Sequence, residues 1–158
     1  QRIIDHKPVL VIGDGESLWT FTHNTDVARA FVGVVGNPAT IGQTYHITAD
    51  EVLTWNTAVE TIGRVWGTTP QVVHASAETL SRFDPSIAGQ LYGDKCVCRT
   101  FDNAKIKAVT PGWHAQVSLE DGLRRVKMYL DAHPAMKERD PEWDAWCDHV
   151  IAVLQSLS

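Results

Sequence analysis

The sequence predicts a small mixed α/β domain in which short strands are interleaved with several helices. Two observations carry this. Runs of β-branched and apolar residues, such as Val9 to Ile12 and Gln71 to His74, alternate with segments whose apolar residues recur at spacings of three and four. The 158 residues, 44% of them hydrophobic, fit one domain with enough apolar surface for a core. The strands are short and no internal repeat is visible.

The stretch Val9 to Asn37 opens the chain's organisation. Val9 to Ile12 reads as a strand, Gly13-Asp14-Gly15 as a tight turn, Leu18 to Thr22 as a second strand, and the alanine- and valine-rich segment up to Gly36 as a helix. Glycine tolerates positive φ, which a reversal between two strands needs, so the two runs are expected to pair as a hairpin. Thr25 or Asp26 can cap the helix. Gly-Asp-Gly-Glu-Ser-Leu after an apolar strand also looks like the start of a dinucleotide-binding glycine loop. That motif leads straight into a helix and carries a third glycine, whereas Leu18 stands at the third position here and a β-type run follows. A complete Rossmann domain is therefore not expected.

Asn37-Pro38 ends the first helix, and Thr44 to Ile47 reads as a short strand. Thr54 caps a helix from Trp55 to Trp66, closed by Gly67. Ser76 starts a helix through Phe83, and Asp84-Pro85 restarts the chain towards Leu91. Val97 to Phe101 reads as a strand that places Cys96 and Cys98 near it on opposite faces, and Asp102 caps a brief helix carrying Lys105, Ile106 and Lys107. Ser118-Leu119-Glu120-Asp121 resembles a capping box, and the helix it opens runs to Pro134 with Leu123, Val126, Met128, Tyr129 and Leu130 as its buried side. The last helix has Asp140 as cap and Pro141 at its first position. Trp143, Trp146, Cys147, Val150, Ile151 and Leu154 form one apolar stripe along it.

The formal charge of -5, without a basic cluster, speaks against a nucleic-acid partner. Three cysteines and seven scattered histidines show no metal-ligand spacing. Reduced cysteines, no signal segment and no apolar run long enough for a bilayer lead to the expectation of a cytoplasmic protein without a membrane partner. Gln1 in place of an initiator methionine, with almost no preamble before the first strand, suggests part of a longer polypeptide.

Taken together, the glycine turn and aromatic strand, His23-Asn24-Thr25-Asp26-Val27-Ala28, Gly42 to Ile47, Phe101 to Lys105, Pro111-Gly112-Trp113 and Ser118 to Leu123 form an ordered series. This order resembles the C-terminal half of extended short-chain dehydrogenases/reductases, the NAD-dependent epimerase/dehydratase proteins, over roughly residues 8–133. The resemblance implies a substrate-binding domain over residues 1–135, the C-terminal part of a longer enzyme. A C-terminal helical extension over 136–158 would pack on that domain or on a neighbouring chain. It also implies an N-terminal dinucleotide-binding domain that lies upstream, NAD or NADP as cofactor of the full-length enzyme with none expected on this fragment alone, a small-molecule substrate, and homo-oligomers.

The family's tyrosine with a lysine four residues later is not found. Tyr92-Gly93-Asp94-Lys95 falls one residue short, so no catalytic residue is assigned. Sugar-nucleotide epimerases of this family place one arginine where Trp19 stands and a second where Gln90 stands. Their replacement implies a smaller or less charged hydroxyl, carbonyl or sugar-like substrate. Trp19, Phe21, His23, Gln90 and Tyr92 are the expected substrate-binding residues, with no cofactor or metal ligands among them. Whether the face shared by Trp19 and Phe21 is core or pocket wall is not decided by a period of two. His23 and Asp26 read as helix-end residues rather than a charge relay. A non-enzymatic binding or oligomerisation module derived from the same domain is the alternative expectation.

Overall fold

The structure, a computed structural model, describes residues 1–157. In chain order its elements are β1 (Val9–Ile12), β2 (Leu18–Trp19), α1 (Asn24–Val34), β3 (Leu53–Thr54), α2 (Trp55–Trp66), β4 (Val72–Ala75), α3 (Ala77–Phe83), α4 (Ala88–Gln90), α5 (Ala104–Val109), α6 (Leu119–Ala132) and α7 (Pro141–Ser156). A π-helical turn, Leu91–Lys95, continues α4. This is the small mixed α/β architecture read from the sequence, and its helix ends follow local chemistry. Thr54, Ser76, Ser118 and Asp140 each accept a hydrogen bond from the N–H three residues on, and Gly67 closes α2 in the left-handed region with φ 71°.

The strand pairing differs from the expected hairpin. β1 runs parallel to β4, with Val9 opposite Val72 and Ile12 opposite Ala75, while β2 runs antiparallel to β3, with Leu18 opposite Thr54. The loop between β1 and β2 does turn, Gly15 donating its N–H to the Ile12 carbonyl at 3.0 Å, but it is held on the start of α2 and does not bring the two strands together. Asn56 donates its backbone N–H to the Gly15 carbonyl at 3.1 Å and its side-chain amide to the Asp14 carbonyl at 2.9 Å. Gly15, at φ 78°, leaves the space that Asn56 fills, since a Cβ there would lie 2.1 Å from Asn56 Oδ1.

Two further expected strands are extended segments outside any ladder among the described residues. Along 44–47, Tyr45 and Ile47 pack on the cluster of Ala30, Ile106 and Trp113. Just beyond them the backbone bonds side chains: Asn103 Oδ1 accepts from Thr48 N–H and Thr22 Oγ1 accepts from Ala49 N–H. Along 97–101, Arg99 N–H reaches the Leu18 carbonyl at 2.7 Å. Cys96 and Cys98 therefore do not alternate on a strand. His23, not Thr25 or Asp26, is the cap of α1, its Nδ1 accepting from Thr25 N–H.

The buried side of α6 is also narrower than the apolar spacing predicts. Leu123 and Leu130 are half-buried, whereas Val126, Met128 and Tyr129 are exposed, Met128 to 73%. Met128 sits on the opposite side of the helix from the seam that Leu123 and Leu130 define, and Tyr129 on its flank.

One core cluster joins Ala75, Ala77, Leu80 and Leu91 to Val150 of α7. Beside it, Arg2 and Lys7 of the N-terminal turn pair with Asp144 and Asp148 of α7, Arg2 with Asp148 at 2.7 Å. Gly63 marks a close approach inside α2: a Cβ there would stand 2.6 Å from the Thr68 carbonyl and 2.4 Å from Pro70 Cδ. Gly63→Ala is expected to destabilise the fold by about 1–3 kcal/mol through this crowding, measured as a shift in the urea midpoint.

Candidate functional site

β2 and its continuation through His23 run between two cavities. One, of about 380 Å³, is lined by Trp19, Thr20, Thr22, Thr48, Asp94, Arg99 and Phe101. The other, of about 340 Å³, is lined by residues that include Thr20, Phe21, His23, Ser118 and Leu123.

The Trp19 ring lies 5.2 Å from that of Trp55, and Phe21 meets the same Trp55 ring edge-on at 5.7 Å. Trp55, at the first turn of α2, thus gathers the two aromatic side chains that share a face of the strand. Lys95 reaches over this group, with Nζ 4.2 Å from the Trp19 ring centroid. The same Nζ pairs with Asp94 Oδ2 at 3.0 Å, while Arg99 Nε lies 3.4 Å from Asp94 Oδ1. The three charged groups carry one net positive charge.

His23 borders the second cavity from the N-terminus of α1. Its Nδ1 faces Thr25, whose Oγ1 is 2.8 Å away, and its ring passes close to α6 at Gly122, where an added Cβ would lie 3.3 Å from His23 Cδ2. No relay joins it to Asp26. The Asp26 carboxylate is 1% exposed, accepts N–H groups of Gln116 and Val117 at 3.1 and 3.0 Å, and pairs with Arg29. Burial pushes this carboxyl's pKa up, but the Val117 N–H, the Arg29 guanidinium and the Gln116 N–H outweigh it and hold the pKa below the usual carboxylate range. Asp26 is a structural anchor for the segment leading into α6.

Of the expected substrate-binding residues, Trp19, Phe21 and His23 border these cavities. Gln90 and Tyr92 are exposed on α4 and the π-helical turn and line neither cavity, Tyr92 to 51%. Arg99, Asp94, Phe101, Thr48 and Trp55 are not among the residues that the sequence leads one to expect at a substrate site. Arg99 and Phe101 fall in a segment read as a strand, and Trp55 reads as the first residue of a helix. Among the described residues there is no group of three or more His, Cys, Asp or Glu placed to hold a metal ion. Also among them, no helix is long and apolar enough to cross a membrane. Cys147 is buried, and desolvation raises its thiol pKa.

No family model and no curated protein matches the sequence. Solved structures do match the fold. UDP-glucuronic acid 4-epimerase from Bacillus cereus, in complex with UDP-glucuronic acid and NAD, aligns with a TM-score of 0.64 at 19% identity over 83% of this chain and 37% of its own. UDP-glucose 4-epimerase from Thermotoga maritima, with UDP-glucose, aligns with a TM-score of 0.60 at 21% identity over 83% of this chain and 37% of its own. dTDP-glucose 4,6-dehydratase from Bacillus anthracis, in complex with NAD, aligns with a TM-score of 0.61 at 20% identity over 84% and 37%. The chain spans little more than a third of the length of these enzymes. Its fold is that of a C-terminal part of the extended short-chain dehydrogenases/reductases, the NAD-dependent epimerases and dehydratases.

Proposed function

We propose that this chain is the substrate-recognition part of an NAD(P)-dependent epimerase, dehydratase or reductase that acts on a small hydroxyl, carbonyl or sugar-like substrate. The observation that carries it is the fold shared with a third of several NAD-linked sugar-nucleotide enzymes, together with cavities on both sides of β2 that present aromatic faces and hydroxyl groups. The tyrosine and lysine of the chemistry, and the loop that holds the dinucleotide, belong in this reading to an upstream half. The C-terminal end of α1 offers a surface on which such a half, or a second copy of the chain, can dock: Val32 and the cap residue Val35 are each 77% exposed, and Phe31 is exposed as well.

The reading predicts that the 158-residue chain alone shows no saturable NADH binding at micromolar concentration, followed by nicotinamide fluorescence. The same titration on a chain extended through the upstream half is expected to saturate. Micromolar binding by this chain alone would overturn the division of labour.

A further inference from the structure

We infer that the ligand of the Trp19 cavity is a small polyhydroxylated monocarboxylic acid, a sugar acid in chemical class, and that Arg99 recognises its carboxylate. The inference rests on the substrate-recognition reading above and adds the substrate's charge to it.

Charge and hydrogen-bond accounting lead there. Asp94 on the cavity wall is neutralised from behind by Lys95 at 3.0 Å, so the charge left facing the cavity is that of Arg99. The Arg99 backbone is tied to β2 through the Leu18 carbonyl, and one Nη donates to the Gly93 carbonyl. Its Nε is shielded from water and makes no hydrogen bond; its nearest anionic contact is the 3.4 Å ion pair with Asp94. With Nε shielded and held against Asp94, the donors that Arg99 keeps for a ligand of the cavity it lines are those of its Nη groups, whose planar fork a carboxylate matches.

The rest of the wall suits a hydroxylated carbon skeleton. The Thr20 hydroxyl has no hydrogen-bond partner among the described residues. Thr22 Oγ1 accepts from Ala49 N–H at 2.8 Å and keeps its own proton to donate. Trp19 and Phe101 supply apolar faces for C–H groups. A net charge of one and about 380 Å³, near the lower limit of small-molecule sites (about 300–1,000 Å³), fit one carboxylate better than a phosphate ester, which carries about 1.5 to 2 negative charges at neutral pH.

Calorimetric titration of this chain with D-glucuronate, methyl β-D-glucopyranoside, glucose 6-phosphate and UDP-glucuronic acid tests this. Glucuronate should bind at least tenfold more tightly than the neutral glucoside, and more weakly as salt is added. Arg99→Gln should lower glucuronate affinity at least tenfold and so remove that preference, and Arg99→Lys should restore part of it. Lys95→Met, which hands Asp94 wholly to Arg99, should remove the preference as well and serves should Arg99→Gln fail to fold. Equal binding of glucuronate and glucoside overturns the inference, as does a tenfold preference for the phosphate ester or for UDP-glucuronic acid. Those last two results leave the substrate-recognition reading standing. Saturable binding of none of the four overturns both.

Discussion

Asp26→Asn is expected to cost about 3 kcal/mol of stability, more than any other polar substitution in the chain. The side chain is 1% exposed and carries three partners at once: Arg29, and the N–H groups of Gln116 and Val117 at 3.1 and 3.0 Å. An amide keeps the shape but turns one acceptor into a donor that faces donors, and it leaves Arg29 without its counter-ion. Breaking a buried pair from one side costs roughly 3–5 kcal/mol; Arg29 is 40% exposed and recovers water, which sets the expectation at the lower end. The sign of the pH dependence follows from the lowered pKa. Asp26 stabilises the fold above its unfolded pKa, near 3.8, and that contribution is lost as pH falls from there through the lower folded value. Urea unfolding at pH 7 and pH 3 reads both effects. The difference between wild type and variant should be large at pH 7 and shrink at pH 3. An equal difference at the two pH values would mean that the charge of Asp26 contributes nothing.

Four of the helix starts were legible because their causes are local. Thr54, Ser76, Ser118 and Asp140 each act within three residues of themselves, and a sequence window contains the whole interaction. Strand pairing was not, because its cause lies elsewhere in the chain. The glycine turn after β1 suggests a hairpin until Asn56, from another element, is seen to occupy the space beside Gly15 and hold the loop to α2. Asp26 was read as a helix-end residue for a similar reason: its partners Gln116 and Val117 are remote in sequence and donate from the backbone, which no side-chain pattern announces.

The cavity shows the same division. Trp19 and Phe21 can be read as companions on one strand face, but Trp55, which both rings touch, reads only as the start of a helix. Lys95 attracts notice as a lysine out of register with Tyr92, and its position over Trp19 depends on a π-helical turn that no periodicity reveals. Arg99 needs the Leu18 carbonyl to fix its place, a contact between segments that do not form a ladder.

Val150→Asp is expected to lower stability by about 4 kcal/mol and the melting temperature by roughly 10 °C. Val150 has no exposed surface and closes the cluster of Ala75, Ala77, Leu80 and Leu91, so a carboxylate there is buried without a partner. α7 has a second attachment, the pairs of Arg2 and Lys7 with Asp144 and Asp148, but the acidic partners are 36% and 49% exposed. Ion pairs that open to water contribute about 0–1 kcal/mol each and cannot hold a helix whose apolar face has been charged. The last helix would then leave β1 and expose Trp146, which packs on the same cluster, so unfolding should be preceded by a red shift of tryptophan emission and by proteolytic cleavage between α6 and α7. Ala152→Asp, two residues on and on the exposed side of the helix, is the control and should change stability by less than about 0.5 kcal/mol. A loss below about 1 kcal/mol for Val150→Asp would overturn the view that burial of Val150 holds α7 on the core.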